Sequence, residues 1–136
     1  MDKVIFACVH SAGRSQMAAA FFNRLAAADK ARAVSAGTEP AERVHPEVVE
    51  VMREMGLDLS DARPQRLSAE MAASAALLVT MGCGESCPYV PGLRREDWAL
   101  DDPKGRDPAD VRRIRDEIRA RVETLVAANR WAAPSP

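Results

Sequence analysis

Cys8 and Arg14 stand six positions apart in the run Cys8-Val9-His10-Ser11-Ala12-Gly13-Arg14-Ser15, between an apolar stretch and an alanine-rich one. If this loop curls, the backbone N–H groups of Val9 to Ser15 converge as an anion nest closed by the N-terminus of the following helix. The rigid guanidinium fork of Arg14 can then clamp two oxygens of the same anion. A thiol at the base of that positive field is favoured as thiolate, which makes Cys8 a nucleophile aimed at a phosphate-like oxyanion. A Cys-x5-Arg spacing arises by chance in many chains. Its placement between strand and helix, with Ser15 directly after the arginine, makes it specific.

Two further clusters carry chemistry: Gly82-Cys83-Gly84-Glu85-Ser86-Cys87-Pro88 and Asp101-Asp102-Pro103. The two cysteines read as redox-active thiols, as buried apolar residues or as half of a metal site. The flanking glycines and Pro88 indicate an exposed loop. A structural zinc needs four ligands, against three cysteines and two scattered histidines in the whole chain, so the redox reading is preferred and no metal is expected. A disulfide needs Cα atoms within about 7 Å, whereas four residues of extended chain span roughly 13 Å. Cys83 and Cys87 can therefore pair only across a turn or helical geometry.

The elements that must position these groups follow from periodicity and punctuation. Lys3 to Cys8 reads as a buried strand ending at the nucleophile. From Ser15 a helix carries Met17, Phe21 and Leu25 on one face and fades near Asp29. Ala31 to Ala36 reads as a second strand, closed by the turn formers Gly37 to Pro40. His45-Pro46 opens a helix running to Gly56, with His45 as a helix-start residue. Ser68 caps a short helix to Ser74, Ala75 to Met81 is a third strand and Glu96 to Leu100 a fourth. Asp107 and Pro108 start the last helix, whose apolar face is Val111, Ile114, Ile118, Val122 and Leu125.

The expected fold is therefore one α/β domain over residues 1–131, with a frayed tail at 132–136. It is a three-layer arrangement of a four-stranded, mostly parallel sheet with helices on both faces. Such sheets bind ligands beyond the carboxyl ends of their strands, where the loops carrying Cys8, Cys83 and Asp102 would meet. If the first and third strands are neighbours, about 5 Å apart, Cys83 can approach Cys8 with modest loop movement.

Composition narrows the partners. The 136 residues carry 19 Lys plus Arg against 20 Asp plus Glu, so no basic excess points to nucleic acid or an anionic membrane. The arginines at 112, 113, 115, 119 and 121 read as a solvated helix face. The longest early apolar run is far shorter than a membrane span, and the expected compartment is the cytoplasm, where clustered cysteines more often serve redox chemistry than structural bridges.

With these residues in view, the sequence resembles arsenate reductases built on the low-molecular-weight protein tyrosine phosphatase fold, of the thioredoxin-coupled type. The likeness runs from the strand before Cys8 through Cys-x5-Arg-Ser, Ser35-Ala36-Gly37-Thr38, the cysteine loop, Asp102-Pro103 and the last helix. It implies that Cys8 attacks arsenate, that Arg14 and the amides of residues 9 to 15 hold the oxyanion, and that phosphate and sulfate compete. It implies that Ser15 hydrogen-bonds the Cys8 thiolate and that Asp102 is the general acid, with Asp101 the fallback. Cys83 would attack the Cys8 sulfur and Cys87 would take over as the Cys83–Cys87 disulfide, reduced by thioredoxin or an equivalent thiol, with no bound cofactor.

The phosphatase branch needs neither cysteine, and the pair of tyrosines that it places after Asp-Pro is replaced here by Lys104-Gly105. A low-molecular-weight phosphatase, a reductase drawing on a small thiol of the mycothiol or glutathione type, and a non-catalytic oxyanion sensor remain the alternatives. His10, Ser11 and Gly13 stand where Gly, Asn and Cys are associated with the family. Ala19 replaces an acidic residue that helps hold potassium in some relatives, so no potassium dependence is expected.

Overall fold

The computed structural model of the chain describes residues 1–82 and 91–133. Four strands, β1 (Asp2–Cys8), β2 (Ala31–Gly37), β3 (Leu77–Thr80) and β4 (Arg94–Asp97), form one sheet in the order β2-β1-β3-β4, and every neighbouring pair is parallel. Parallel strands require crossovers: α1 (Arg14–Leu25) lies between β1 and β2, α2 (Pro46–Arg53) and α3 (Ala69–Ala73) lie between β2 and β3, and α4 (Pro108–Ala128) follows β4. β1 lies between β2 and β3, so the first and third strands are neighbours.

Strand alternation divides the core. Val4, Phe6 and Cys8 point into the larger apolar cluster with Met17, Phe22, Val48, Met52, Ile114 and Ile118 from α1, α2 and α4. Ile5 and Ala7 point the other way, into a smaller cluster with Leu67, Leu78 and Ala72 of α3. Both faces of β1 are thus covered, which is why its sequence is a continuous apolar run. The α4 N-terminus is set as its sequence predicts: Asp107 accepts from the Asp110 amide at 2.9 Å and Pro108 takes the first turn. Its arginines are largely spent within the molecule. Arg112 and Arg115 pair with Glu54, Arg113 with Asp101 and Arg121 with Glu117.

Several boundaries differ from expectation: α2 ends at Arg53 rather than Gly56, and β3 is Leu77–Thr80 rather than Ala75 to Met81. The fourth strand is Arg94–Asp97 rather than Glu96 to Leu100, because backbone pairing with β3 (Leu77↔Arg94 to Thr80↔Asp97) sets it while apolar Trp98 and Leu100 follow its end. α1 stops at Leu25 although alanines continue, since Ala26 turns extended and bridges Ala132. That bridge, with the Ala133 amide donating to Leu25 O, also ties down the start of the expected frayed tail. Residues 134–136 lie outside the described residues. No helix of the described residues is long and apolar enough to cross a membrane.

Candidate active site

The loop between β1 and α1 is defined by where its carbonyls go. Val9 O accepts from Glu39 N, His10 O from Ala41 N, Ala12 O from His45 N and Gly13 O from Met17 N, at 2.8 to 3.1 Å. Ser11 O accepts from Gln16 Nε2 at 2.9 Å. A trans peptide is planar, with its N–H opposed to its C=O. Three carbonyls held by the 39–45 segment and two held by α1 therefore turn the amides of residues 10 to 14 to the opposite side. α1 adds its own first-turn amides: Gly13 at the cap makes no side-chain hydrogen bond, and no acidic residue occupies the first turn.

Glycines let the backbones close on this loop. A Cβ on Gly37 would fall 2.6 Å from Val9 O, 2.8 Å from Ser11 N and 2.9 Å from Cys8 O, so only glycine permits β2 to end against the loop. Gly82 has φ +112°, and a Cβ there would meet Arg14 Nη1 at 2.6 Å. The guanidinium thus lies on bare backbone where the chain leaves β3. Gly13 faces Pro103 and His45, which a Cβ would approach to 3.1 and 3.4 Å.

Cys8 is buried at the end of β1, with Sγ 2.9 Å from Ser15 Oγ. Ser15 continues to Ser35 Oγ at 2.6 Å, and Ser35 to Ser11 Oγ at 2.8 Å. Arg14 donates from Nη1 to Leu100 O at 3.1 Å, and its Nη2 lies 3.8 Å from Asp102 Oδ2. The other Asp102 oxygen accepts from the Lys104 amide at 3.0 Å, which fixes the carboxyl in a local turn. Asp101 turns away to Arg113 on α4 at 3.1 Å. His10 is half-buried, and its Nδ1–H donates to Glu39 O at 3.0 Å, turning that side chain to loop packing.

The structure thus brings together Cys8, Val9, His10, Ser11, Ala12, Gly13, Arg14, Ser15 and Asp102. Cys83 and Cys87 lie outside the described residues, although the chain enters their segment at Gly82, beside Arg14. Two neighbours were not singled out from sequence as part of the site. Ser35, 20 residues from Ser15 and 24 from Ser11, is the hub of the hydroxyl contacts. His45 caps α2, supplies the amide that holds Ala12 O and lies against Gly13. Its pKa falls below the usual 6.5 chiefly through burial, and Lys104 and His10 lower it further against the opposing charges of Glu47 and Asp102. Proximity to Cys8 and Asp102 was invisible in both cases because it arises from the sheet register and the path of the 37–45 segment.

A buried cysteine, an arginine and a nearby carboxyl thus meet beyond the carboxyl end of β1 on a parallel α/β sheet. The family profile described as low molecular weight phosphotyrosine protein phosphatase matches residues 3–131, and the chain belongs to that family. It is similar to a putative arsenate reductase from Halobacterium salinarum, 44% identical over 124 residues that make up 88% of this chain and 87% of the relative. It is also similar to arsenate reductase 1 of Staphylococcus epidermidis, at 34% identity over 90% of this chain and 93% of that one. Among solved structures, a thioredoxin-dependent arsenate reductase of Corynebacterium glutamicum superposes with a TM-score of 0.82 at 38% identity, covering 94% of this chain. The present chain spans 61% of that protein's length. An arsenate reductase from Archaeoglobus fulgidus superposes with a TM-score of 0.77 at 34% identity, over 91% of this chain and 98% of that one.

Proposed function

We propose that the chain reduces arsenate to arsenite, using Cys8 as nucleophile and a dithiol as the source of two electrons. What supports the anion-binding part is that the five carbonyls of Val9 to Gly13 all have partners, which in this reading leaves the loop amides to an anion above Cys8. The relatives named as arsenate reductases favour arsenate as that anion.

In this reading the Cys8 thiolate attacks arsenic, a sulfur–arsenic bond forms, and an arsenate oxygen leaves as water with a proton from Asp102. Arg14 and the amides hold the remaining oxygens. A second thiolate, Cys83, then attacks the Cys8 sulfur; the disulfide forms and the sulfur–arsenic electron pair passes to arsenic, reducing As(V) to As(III). Cys87 attacks Cys83, frees Cys8 and leaves a Cys83–Cys87 disulfide for an external dithiol such as thioredoxin. Phosphate and sulfate are competing ligands, no resident cofactor takes part, and the need for a thiol donor suits the reducing cytoplasm.

The test is single-turnover reduction of arsenate by the prereduced chain, followed by mass spectrometry of its cysteines. Cys87→Ser is expected to stop after one turnover as a Cys8–Cys83 disulfide, and Cys83→Ser to lose thioredoxin-coupled turnover. Full activity of Cys83→Ser with thioredoxin overturns the relay. Hydrolysis of p-nitrophenyl phosphate, with no arsenate reduction under thioredoxin, glutathione or mycothiol, overturns the function.

A further inference from the structure

We infer that Gly82 is a positioning residue for Arg14: the space left by its missing side chain is where the guanidinium stands. Among the described residues, and apart from its chain neighbours, the three atoms nearest a Cβ built on Gly82 all belong to that group. They are Nη1 at 2.6 Å, Cζ at 3.1 Å and Nη2 at 3.2 Å. Gly82 is held in place from two sides. Met81 N donates to Ala7 O at 2.7 Å and Trp98 N to Thr80 O at 2.8 Å, which pins the end of β3 between the ends of β1 and β4. Its φ of +112° is a backbone that glycine adopts without strain and other residues do not.

Arg14 starts α1, yet its guanidinium reaches across to the ends of the other strands. Nη1 donates to Leu100 O at 3.1 Å, Nη2 lies 3.8 Å from Asp102 Oδ2, and only 11% of the side chain is exposed. The Leu100 carbonyl, the Asp102 carboxyl and the Gly82 Cα thus bound the fork, and its remaining N–H donors are those left for an anion. A Cβ on Gly37 would strike backbone, whereas one on Gly82 would strike the far end of a flexible side chain. The fold can therefore absorb a side chain at position 82 if the guanidinium gives way by about 1 Å, the difference between 2.6 Å and ordinary carbon contact. A two-point clamp tolerates little displacement, so anion affinity falls although neither the loop nor Cys8 is touched. In sequence Gly82 reads only as a loop former beside Cys83; its closeness to Arg14 comes from the pairing of β1 with β3.

The inference rests on the reading of the Cys8 loop as an anion site, and its test tells the two apart. Inorganic phosphate is titrated as a protectant of Cys8 against iodoacetamide in the reduced full chain at pH 8, read by peptide mass spectrometry, with a thermal melt of each protein. Gly82→Ala should melt cooperatively and need about 10- to 100-fold more phosphate for half-protection. In an Arg14→Lys background there is no guanidinium to displace, so the same substitution should change half-protection by less than about twofold. Backbone strain at position 82 lowers the melt in both backgrounds, which separates it from the loss of binding. Parent-like protection in Gly82→Ala, equal losses in the two backgrounds, or a Gly82→Ala chain with no cooperative melt overturns the inference. A parent chain that phosphate does not protect overturns the anion-site reading, and this inference with it.

Discussion

The two loops that meet over Cys8 are built on opposite plans. The Val9–Gly13 loop is held at every carbonyl, and Ser11 and Ala12 are fully buried. The 101–106 loop is exposed except for Pro103, which sits against Gly13, and its functional contact is a long one between Asp102 and Arg14. A group that must stabilise developing charge works best when fixed in advance. A group that must deliver a proton and then clear the way for a product can be tethered more lightly. Under the proposed function the first loop works through its backbone and the second through a side chain. This explains how His10, Ser11 and Gly13 can depart from the residues associated with the family while the amides stay aimed inward. It also means that the first loop is most vulnerable where another backbone touches it.

Gly37→Ala is the strongest way to break that contrast. Its Cβ would overlap two backbone atoms of the loop and one at the end of β1, none at the end of a flexible side chain, so the loop must move. Phosphate binding measured by calorimetry and arsenate reduction should both fall, by about 100-fold or more. Retained phosphate affinity would show that the end of β2 does not shape the loop.

Asp102→Asn attacks the lighter loop and should separate binding from chemistry. Loss of the acid should lower kcat by about 100-fold, while phosphate affinity holds or tightens because a negative charge beside Arg14 is gone. Asp101→Asn should change kcat by less than about threefold, since that carboxylate pairs with Arg113 on the surface of α4. Equal losses in the two variants would dissolve the distinction between the carboxylates.

The same contrast governs what could be read from sequence. β1 ending at Cys8, α1 starting within one residue of the expected Ser15 and the capped α4 are legible because local pattern and tertiary structure agree there. β4 lies two residues earlier at its start and three at its end than the sequence predicts, because an edge strand with polar side chains has no alternation to read while the nearby Trp98 and Leu100 are apolar. The steric reasons for Gly13 and Gly37 were hidden for a different cause: they concern atoms brought near only by the strand order β2-β1-β3 and the docking of Pro103. Ser35 belongs to a segment that carries the family likeness, yet nothing local shows that it faces Ser11 of the loop and Ser15 of α1. Residue types told the chemistry, and close approach between distant backbones supplied the shape.

His45 joins the two loops, and its variant should have the smallest effect. The ring lies against Gly13 on one side of the site and feels Asp102 and Lys104 on the other. Burial holds its folded-state pKa below the ordinary 6.5, so above that pH the ring is neutral in both folded and unfolded chains and carries no penalty. As pH falls below 6.5 the unfolded chain takes up the proton first, and stability is lost until the folded ring protonates as well. His45→Gln removes that linkage. Thermal melts of the two proteins should therefore differ by a constant offset from pH 7 to 8, and between pH 6.5 and 5 the variant should gain on the parent. The amide that holds Ala12 O is backbone and survives the substitution, so phosphate affinity at pH 8 should stay within about twofold. A parent that gains on the variant in acid would mean that the protonated ring is held by Asp102 more strongly than burial opposes it, and the two loops would then be joined by charge rather than by packing.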